Sequence, residues 1–592
     1  MLIIDRIRTD VSEALHHLYG AEGVSAGFQV NQTRPEFEGD YTIVLFSLVK
    51  ALRKSPEALA AEIGEALTSA HPDFYASHTL VKGFMNLTIR DAYWIDMLSR
   101  HHHDICFGKG APKHRTVMVE YSSPNTNKPL HLGHLRNNFL GWSIAEILRA
   151  NGYDVVRTCI VNDRGVHICK SMIAWQRFAN GATPASTGMK GDHLVGDYYV
   201  KFNDAYKAEV DALVAHGMER AQAEKEAPIM KSTQEMLIKW EQGDPEVMDL
   251  WKRMNGWVYE GFDETYRKIG SHFDKTYYES ETYLLGKDAV AAGLEKGVFF
   301  RKEDGSVWID LTADGLDEKL LLRKDGTSVY ITQDIGLAMR KFEEYRIDQS
   351  IYVIGDEQNY HMKVLRLICQ KLGLPYADGI HHLSYGMVEL PTGKMKSREG
   401  TVVDADDLVA EMVSMAEQHT RTLGKVNDIP EADLSPLFET LGLGALKFYL
   451  LRVDPKKKMI FNPEESIEFH GFTGPFVQYT YARIRSILRK IKHEPGIGIG
   501  SVELMPLERS LLVMLEQYGM VLRQAADEMN PSLIGVYAFN LAREFNSFYA
   551  EHSVANAESE EKRQLRLRLS EMTSVVIASA LQLLGIRVPE RM

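Results

Sequence analysis

Residues 116–150 read TVMVEYSSPNTNKPLHLGHLRNNFLGWSIAEILRA, and this stretch decides the fold. It opens with TVMVEYSS, whose β-branched and apolar residues are typical of a strand. Apolar residues at helical spacing then predict a helix from Leu135 to Ala150, and GYDVVRTCIV at 152–161 predicts a second strand. A strand, a helix and a strand in this order form a βαβ unit, which requires a parallel sheet with a right-handed crossover.

The segment between the first strand and the helix carries the most informative side chains. Here His131 and His134 stand three residues apart with Gly133 between them, at the predicted start of the helix. Open α/β sheets bind ligands at this edge, and imidazoles beside a helix N-terminus can hold phosphate while a glycine lets a ligand lie against the backbone. The tetrapeptide therefore favours a phosphate-binding site. If it were considered without its surroundings, a pair of surface histidines on a turn would be the alternative.

Two regions flank this central one. Residues 1–110 mix helical periodicity with the strand candidates YTIVLF and GFMNLTI, and FGKGAPKH is typical of an interdomain linker. Within a central domain at 111–404, residues from about 168 to 300 predict a charged helical insertion, after which VWIDL, SVYIT and SIYVIGD restore the strand pattern. Residues 405–592 carry apolar residues at helical spacing, which predicts a C-terminal helical domain.

Charge and cysteine content exclude several classes of protein. The 592-residue chain has a net charge of -13, which argues against a non-specific nucleic-acid binder but allows a local basic face for a structured RNA. Its four cysteines lack the spacing of a zinc site, so we expect buried free thiols and no protein-bound metal. We expect the histidines at 101–103 to cap a surface helix or to begin a linker rather than to bind a metal. The sequence shows neither a signal-peptide pattern nor an apolar run of membrane-spanning length, which predicts a cytoplasmic protein without a membrane partner.

The block VEYSSPNTNKPLHLGHLRNNFLG closely resembles the region around the HIGH signature of class I aminoacyl-tRNA synthetases, in its arginyl form. The resemblance implies that His131, Gly133 and His134 bind ATP, and that the two histidines stabilise the pentacovalent phosphorus as the amino-acid carboxylate attacks the α-phosphate. It also implies the overall reaction, in which ATP with Mg2+ activates L-arginine to arginyl-adenylate and the arginyl group passes to tRNA(Arg). Activation in this family is expected to require bound tRNA.

A second class I signature, KMSKS, has its counterpart in GKMKSREGTVV, with the loop at 393–399. Glycine and basic residues on a loop suit a clamp on diphosphate, although a solvated basic turn is the alternative. The fourth position is Ser397 rather than lysine, and the resemblance implies that Lys128, just before the histidines, supplies the missing charge. The loop residues that remain candidates for this charge or for contacts with ATP are Lys394, Lys396, Ser397 and Arg398.

Arginine requires a pocket with matching chemistry. Its guanidinium is a planar cation with five donors, so the pocket needs a carboxylate and neutral acceptors in a fixed plane. SVYITQDIGLAM offers Tyr330 and Asp334, where a strand is predicted to run into a helix, and the resemblance implies that both contact the guanidinium. A helix N-terminal carboxylate is the plainer role for Asp334. By the same resemblance His361 contacts ATP, and three further residues contact arginine: Glu120, Asn125 and Gln358.

The C-terminal region resembles a helical anticodon-binding domain. LGLGALKFYLLR opens it, with Gly444 where several other class I enzymes carry aspartate. The resemblance places three residues near the anticodon loop: Tyr479, Tyr549 and Met592. Aromatic side chains suit unpaired bases, although core packing explains Tyr549 equally well. The N-terminal domain resembles the domain that touches the tRNA elbow in arginyl enzymes, with Asn86 and Trp94 as candidate contacts.

These features predict a class I Rossmann-like α/β core with a helical insertion, an N-terminal α+β domain and a C-terminal α-helical bundle. The resemblance implies a member of the arginyl-tRNA synthetase family, and we expect the chain to act as a monomer, although the sequence itself does not determine the oligomeric state. A class I synthetase for another amino acid is the nearest alternative, but a cysteinyl enzyme would show zinc-binding cysteines. A small nucleotidylyltransferase also uses H-x-G-H with ATP but would be far shorter. A non-catalytic RNA-binding paralogue would be expected to have lost His131, His134 or Asp334, and all three are present.

Overall fold

The computed structural model of the chain describes residues 2–25, 27–34, 36–391, 403–424, 429–491, 498–500 and 502–592. Its N-terminal elements are α1 (Ile3–Ser25), β1 (Gln29–Gln32), β2 (Tyr41–Val44), α2 (Phe46–Leu52), α3 (Pro56–Ala70), β3 (Tyr75–Val81), β4 (Phe84–Ile89) and α4 (Asp91–His101). The strands form an antiparallel sheet in the order β1-β2-β4-β3, with α3 packed on β3 and α1 on α3. The predicted strands YTIVLF and GFMNLTI correspond to β2 and β4, and His102 caps α4 as predicted.

The central part of the chain alternates strands with helices. Its elements are β5 (Thr116–Glu120), α5 (Leu132–Ala150), β6 (Asp154–Val161), α6 (Val166–Phe178), α7 (Pro184–Thr187), α8 (Gly191–Ala215), α9 (Arg220–Glu226), α10 (Pro228–Glu241), α11 (Pro245–Ile269), β7 (Lys275–Tyr278), α12 (Glu279–Thr282), α13 (Lys287–Glu295), β8 (Phe300–Arg301), β9 (Val307–Ile309), β10 (Lys319–Leu322), α14 (Tyr330–Tyr345), β11 (Gln349–Gly355), α15 (Asn359–Lys371), β12 (Ile380–Tyr385) and β13 (Val388–Glu389). Strands β8 to β10 form a small antiparallel sheet of their own.

The main sheet has five parallel strands in the order β12-β11-β5-β6-β7, which confirms the predicted βαβ unit and fold class. Its middle strand β5 is buried through Val117, Met118 and Val119, as expected of a parallel strand covered on both faces. The chain winds from β5 through β6 to β7 on one side, whereas β11 and β12 extend the sheet on the other. The crevice between the carboxyl ends of β5 and β11 is therefore the switch point at which such sheets bind ligands.

Two expectations about this central part were wrong. The helical insertion was expected to reach about residue 300, but β7 within that range pairs with β6, so the helices α6 to α11 end at Ile269 and the main sheet resumes. SVYIT was expected to be a strand, but Val329 is the N-cap of α14 and the helix begins at Tyr330. Its apolar residues Ile331 and Ile335 are one turn apart and face the core of the molecule, which explains the strand-like composition.

The C-terminal part is helical, as predicted. Its elements are α16 (Ala405–Thr422), α17 (Glu431–Leu451), β14 (Met459–Ile460), α18 (Pro463–Ser466), α19 (Gly474–Lys490), α20 (Pro506–Glu516), α21 (Tyr518–Asp527), α22 (Ser532–Glu551) and α23 (Glu560–Leu583). The short strand β14 pairs in parallel with β13 and so joins this part to the central one. A Cβ on Gly444 would lie 2.5 Å from Nε2 of the buried Gln478, so a larger residue at this position of α17 would require that side chain to move.

The helices and the cysteines bear on two expectations about the chain as a whole. None of the helices in the described part of the chain combines the length and the apolar composition needed to cross a bilayer. All four cysteines are free thiols; Cys159, Cys169 and Cys369 are buried as predicted, but Cys106 is exposed because it lies in the turn that follows α4.

Candidate active site

The two histidines of the HLGH tetrapeptide lie at the start of α5, where their rings are in contact and each accepts a hydrogen bond from a backbone amide of the same turn. His131 is the N-cap, and its Nδ1 accepts a hydrogen bond of 3.1 Å from the Gly133 amide. The Nδ1 of His134 accepts a second bond of 3.1 Å from the His131 amide, and the two ring centroids are 3.9 Å apart. Because each ring uses Nδ1 as an acceptor, the neutral imidazoles carry their protons on Nε2, where each can donate to a ligand.

Burial keeps both imidazoles neutral. It lowers the pKa of His131 to about 4, with a further decrease from the Lys128 cation and a partial offset from Asp404. The pKa of His134 lies well below its ordinary value because of burial, His131 and Lys128. At neutral pH the site therefore offers two hydrogen-bond donors beside the positive end of the α5 dipole, which suits a phosphate group.

Lys128 is brought together with the histidines. Its ammonium is half-buried, and this burial lowers its pKa. Its charge acts on both imidazoles, so it lies beside them at the entrance of α5. The other predicted cations and ATP contacts, Lys394, Lys396, Ser397 and Arg398, lie outside the described residues.

The backbone between β5 and the histidines is held in an unusual conformation. Ser122 and Ser123 have φ values of 82° and 45°, a region that residues other than glycine rarely adopt. The Ser122 amide donates to Oδ1 of Asn137 on α5 at 2.5 Å, and Nδ2 of Asn137 donates to the carbonyl of Val353 on β11 at 2.7 Å. One amide side chain therefore ties the histidine-bearing helix to both strands that border the crevice. Such strain persists where surrounding contacts fix it, which is common at functional sites.

The predicted guanidinium contacts lie on the first turns of α14. Asp334 accepts a hydrogen bond from His361 on α15, with Nε2 and Oδ2 only 2.6 Å apart, so the predicted arginine and ATP contacts meet directly. Tyr330 is 76% exposed and lines a cleft of about 470 Å³ together with Gln333 and Arg164. The predicted contact Gln358 is exposed in the turn after β11.

Sequence reasoning missed a carboxylate that lines this cleft. Glu279 follows β7 directly and lines the cleft that also contains Tyr330. Burial raises its pKa to about 7; Arg164 opposes this shift, whereas Asp163 and Asp334 add to it. The available signal was a carboxylate at the carboxyl end of a parallel strand. It was not recognised because β7 was taken as part of the insertion.

Glu120 ends β5 but is not a free carboxylate. Its Oε2 accepts a bond of 2.5 Å from Nζ of Lys341 on α14, and both side chains are buried. Burial alone would lower the pKa of Lys341, but Glu120 and Tyr352 together raise it above its ordinary value. Glu120 is thus fixed in position by a paired cation. Asn125, which follows β5, is exposed and forms an isolated β-bridge with Asn162 after β6.

The predicted RNA contacts lie on two separate surfaces. On α19 and α22, Arg483 lies 4.8 Å from the ring centroid of Tyr479 and also borders a cleft with Tyr549, which is 37% exposed. Met592 packs partly buried against the core. In the N-terminal sheet the buried Asn86 lines a groove whose other residues include Arg34, Phe37, Lys82 and Phe84. Trp94 is fully buried in the core, so its expected contact with RNA was wrong.

Comparisons with known proteins cover the whole chain. Residues 5–89 match the family model "Arginyl tRNA synthetase N terminal domain", residues 97–462 match "tRNA synthetases class I (R), catalytic domain", and residues 477–592 match "DALR anticodon binding domain". The arginine–tRNA ligases of Bacteroides fragilis and Porphyromonas gingivalis strain W83 are 53% and 51% identical, each over 100% of both chains.

Solved structures give the same result. The arginyl-tRNA synthetase of Thermus thermophilus superposes with a TM-score of 0.81 at 25% identity and covers 100% of both chains. The arginyl-tRNA synthetase of Plasmodium falciparum superposes with a TM-score of 0.78 over 100% of this chain and 99% of the other, and at 18% identity it supports the fold alone. The topology is therefore that of these enzymes from end to end.

Proposed function

Since the chain belongs to the arginyl-tRNA synthetase family and is an arginine–tRNA ligase, we propose that it activates arginine in the crevice between β5 and β11. In the first half-reaction the arginine carboxylate attacks the α-phosphorus of ATP, which forms arginyl-adenylate and releases diphosphate. In the second, a hydroxyl of the terminal ribose of tRNA(Arg) attacks the arginyl carbonyl and releases AMP. The position of His131 and His134 at the switch point of the sheet carries this assignment.

The histidines act on the α-phosphate as neutral donors. Their Nε2–H groups and the α5 N-terminus face charge that develops on the phosphoryl oxygens, and fixed donors of this kind stabilise a transition state without reorganising. Lys128 adds a positive charge beside them. Its partly desolvated ammonium supports the view that it substitutes for the lysine that the 393–399 loop lacks.

We infer that Mg2+ enters with the phosphates of ATP. Of the described clusters that could bind a metal, Asp192, His193 and Asp406 lie nearest the histidines. There the Lys190 ammonium already lies 2.6 Å from Asp406 and 3.2 Å from Asp192, so these residues do not fit a divalent cation. When bound, Mg2+ neutralises phosphate charge, and the protein residues orient the nucleotide.

The guanidinium is recognised by carboxylates at the edge of the sheet. Asp334 and Glu279 offer two negative charges near one cleft, and Tyr330 offers a phenol at its rim. Paired carboxylate and phenol acceptors match the planar donor set of arginine and leave a neutral analogue with unmatched partners. Glu120, Asn125 and Gln358 are the proposed contacts for the α-amino group and the polar atoms beside it.

Three domains serve this reaction, with the chain acting as a monomer. Residues 1–110 are proposed to contact the tRNA elbow through the groove that includes Phe37 and Phe84, and the C-terminal helices to contact the anticodon loop through Tyr479 and Tyr549. Exposed aromatics beside cations suit unpaired bases. The pairing of β14 with β13 supports a boundary after Ile460 rather than at 404 for the central domain.

Aminoacylation of total tRNA with each of the twenty amino acids, with and without ATP, tests the proposal. We expect ATP-dependent charging by arginine alone. Charging by another amino acid would keep the reaction and overturn the assignment of the pocket, whereas the absence of charging with any amino acid would overturn the activity.

A further inference from the structure

Three consecutive lysines form an exposed basic run beside the catalytic crevice. Lys456, Lys457 and Lys458 lie in the loop between α17 and β14, and all three are exposed. None of them forms an ion pair with a carboxylate among the described residues. The chain as a whole has a net charge of -13, so this run is a local positive charge on an acidic protein. Nothing in the arginine and ATP sites accounts for it.

The loop that carries these lysines is fixed to the histidine-bearing helix. Arg136, fully buried on α5, donates to the carbonyl oxygens of Pro455 at 3.3 Å and Lys457 at 2.9 Å. It also donates to the carbonyls of Gly386 and Met387, which follow β12. One guanidinium therefore joins the lysine loop, the end of β12 and the helix whose first turn holds the histidines.

Further bonds keep the loop rigid. The Gly386 amide donates to the Pro455 carbonyl at 2.9 Å, and the Met459 amide donates to the Met387 carbonyl at 3.1 Å. The carboxylate of Asp454 accepts a bond of 2.9 Å from the Lys456 amide, so it caps the backbone of the loop. A loop anchored in this way presents its three ammonium groups at a defined place on the surface.

The positive charge extends from the loop towards α15. Arg366 on α15 and Lys456 both act on His381 of β12, whose pKa is lowered by partial burial, by His382 and by these two cations. Arg366 is exposed and, like the lysines, forms no ion pair with a described carboxylate. Arg366 and Lys456 therefore both lie near His381 of the edge strand β12, and together with Lys457 and Lys458 we call them the basic strip.

The chemistry of this strip fits an extended polyanion. Flexible, exposed lysines act as point charges that neutralise backbone phosphates without reading bases. ATP requires a concave site, whereas these side chains lie on an open surface. Arg136 of α5 contacts the backbone of this loop directly, and α5 begins next to His131. An RNA bound to the strip therefore runs close to the crevice that its 3′ end must enter.

We propose that Lys456, Lys457 and Lys458, with Arg366, bind the ribose-phosphate backbone of tRNA next to its 3′ end. This inference rests on the proposed function. Each lysine neutralises a phosphate, and the anchoring by Arg136 keeps that contact in register with the catalytic histidines. The strip adds affinity that does not depend on the base sequence and leaves recognition of arginine and ATP to the crevice.

The test measures the salt dependence of tRNA binding to the full-length protein. The variant replaces all three lysines (Lys456→Gln, Lys457→Gln, Lys458→Gln), and a second variant replaces the same three with Arg. Loss of three phosphate contacts should reduce the slope of log Kd against log[KCl] by about 2 to 3. Affinity at low salt should fall by about tenfold or more, whereas KM for arginine and ATP at saturating tRNA should stay within about twofold. The Arg variant should keep the slope, because it keeps the charge.

A matched control removes three exposed lysines elsewhere (Lys225→Gln, Lys239→Gln, Lys324→Gln). This variant has the same change in net charge and should keep the slope of the unmodified protein. An unchanged slope in the Lys456–458 variant would overturn the inference, as would a rise in KM for ATP with unchanged tRNA affinity. Charging of tRNA by the unmodified protein, measured in parallel, tests the proposed function separately.

Discussion

Nε2 of His361 lies 2.6 Å from Oδ2 of Asp334, so the carboxylate proposed to bind the guanidinium also holds an imidazole. The hydrogen bond to Asp334 raises the pKa of His361, although burial opposes this. A protonated His361 forms an ion pair with Asp334 and competes with the substrate cation for the same negative charge. Arginine binding is therefore coupled to the loss of a proton from this pair.

This coupling predicts the pH dependence of arginine use. Because the folded pKa of His361 is raised, the stability from its ion pair is fully present below the ordinary histidine pKa of about 6.5 and is lost as pH rises through the raised value. KM for arginine should fall over the same rise in pH, because Asp334 is released. We expect His361→Asn to reduce the change in KM for arginine between pH 6 and pH 9, measured at roughly constant ionic strength, and to leave the part that comes from Glu279. An unchanged profile in this variant would contradict the coupling.

Removal of the Asp334 charge should damage arginine use specifically. In Asp334→Asn the guanidinium loses its half-buried charged partner, which costs on the order of a hundredfold in kcat/KM for arginine. KM for ATP should rise much less, because Asp334 reaches the nucleotide only through its hydrogen bond with His361. Asp317→Asn, at an exposed carboxylate, is the matched control. Equal losses for arginine and ATP would show that Asp334 supports the fold rather than the substrate.

Glu279 should contribute a second, separately titrating charge. Because burial raises its pKa to about 7, the folded protein keeps Glu279 protonated at pH values where a free glutamate is ionised. The contribution of this protonated form to stability is complete below the ordinary glutamate pKa of about 4.3 and is lost as pH rises through about 7. Only the ionised form attracts the guanidinium, so Glu279→Gln should raise KM for arginine by about tenfold at high pH and less at low pH. KM measured at two pH values distinguishes this effect from that of His361. A loss that is equal at both values would argue against titration of Glu279.

Lys128 should act in adenylate formation. Lys128→Ala removes the cation beside the histidines, and loss of one fixed donor to a transition state slows catalysis by about a hundredfold. Lys128→Arg keeps the charge and should recover part of the rate of arginine-dependent ATP–diphosphate exchange. Unchanged exchange in Lys128→Ala would transfer the role to Lys394 or Lys396, whose own Ala variants are the comparison.

The insertion should depend on one lysine for its attachment. Nζ of Lys190 lies 2.6 Å from Asp406 and 3.2 Å from Asp192, so it neutralises two carboxylates between α8 and α16. Lys190→Met removes the ammonium from both carboxylates and, among the described basic side chains, leaves only His193, 3.6 Å from Asp406, beside them. The free energy of unfolding should therefore fall by about 3 kcal/mol. Urea unfolding followed by circular dichroism measures this effect. The exposed Lys252→Met serves as the control, and a difference below about 0.5 kcal/mol between the two would contradict this prediction.

The success of sequence reasoning depended on how local each signal was. The unit from β5 to β6 was predicted because strand, signature and helix are contiguous, and the same contiguity revealed His131 and His134. Strand β7 has four residues at the sheet edge, and only its pairing with β6 distinguishes it from the helices before it. Glu279 was missed for the same reason, because it is far from Asp334 in the sequence and only the folded sheet brings the two carboxylates near each other. Trp94 was misassigned because an aromatic at helical spacing does not reveal which face is buried.

Asp334 and Glu279 are proposed to select arginine through the charge of its guanidinium. The most direct test compares kcat/KM for arginine with that for citrulline, its neutral urea analogue, in ATP–diphosphate exchange with tRNA present. A site built on buried polar partners should favour arginine by about four orders of magnitude. We expect Asp334→Asn to lower the ratio of kcat/KM for arginine to kcat/KM for citrulline by about a hundredfold, because activity with arginine is lost. A ratio that Asp334→Asn leaves unchanged would contradict it.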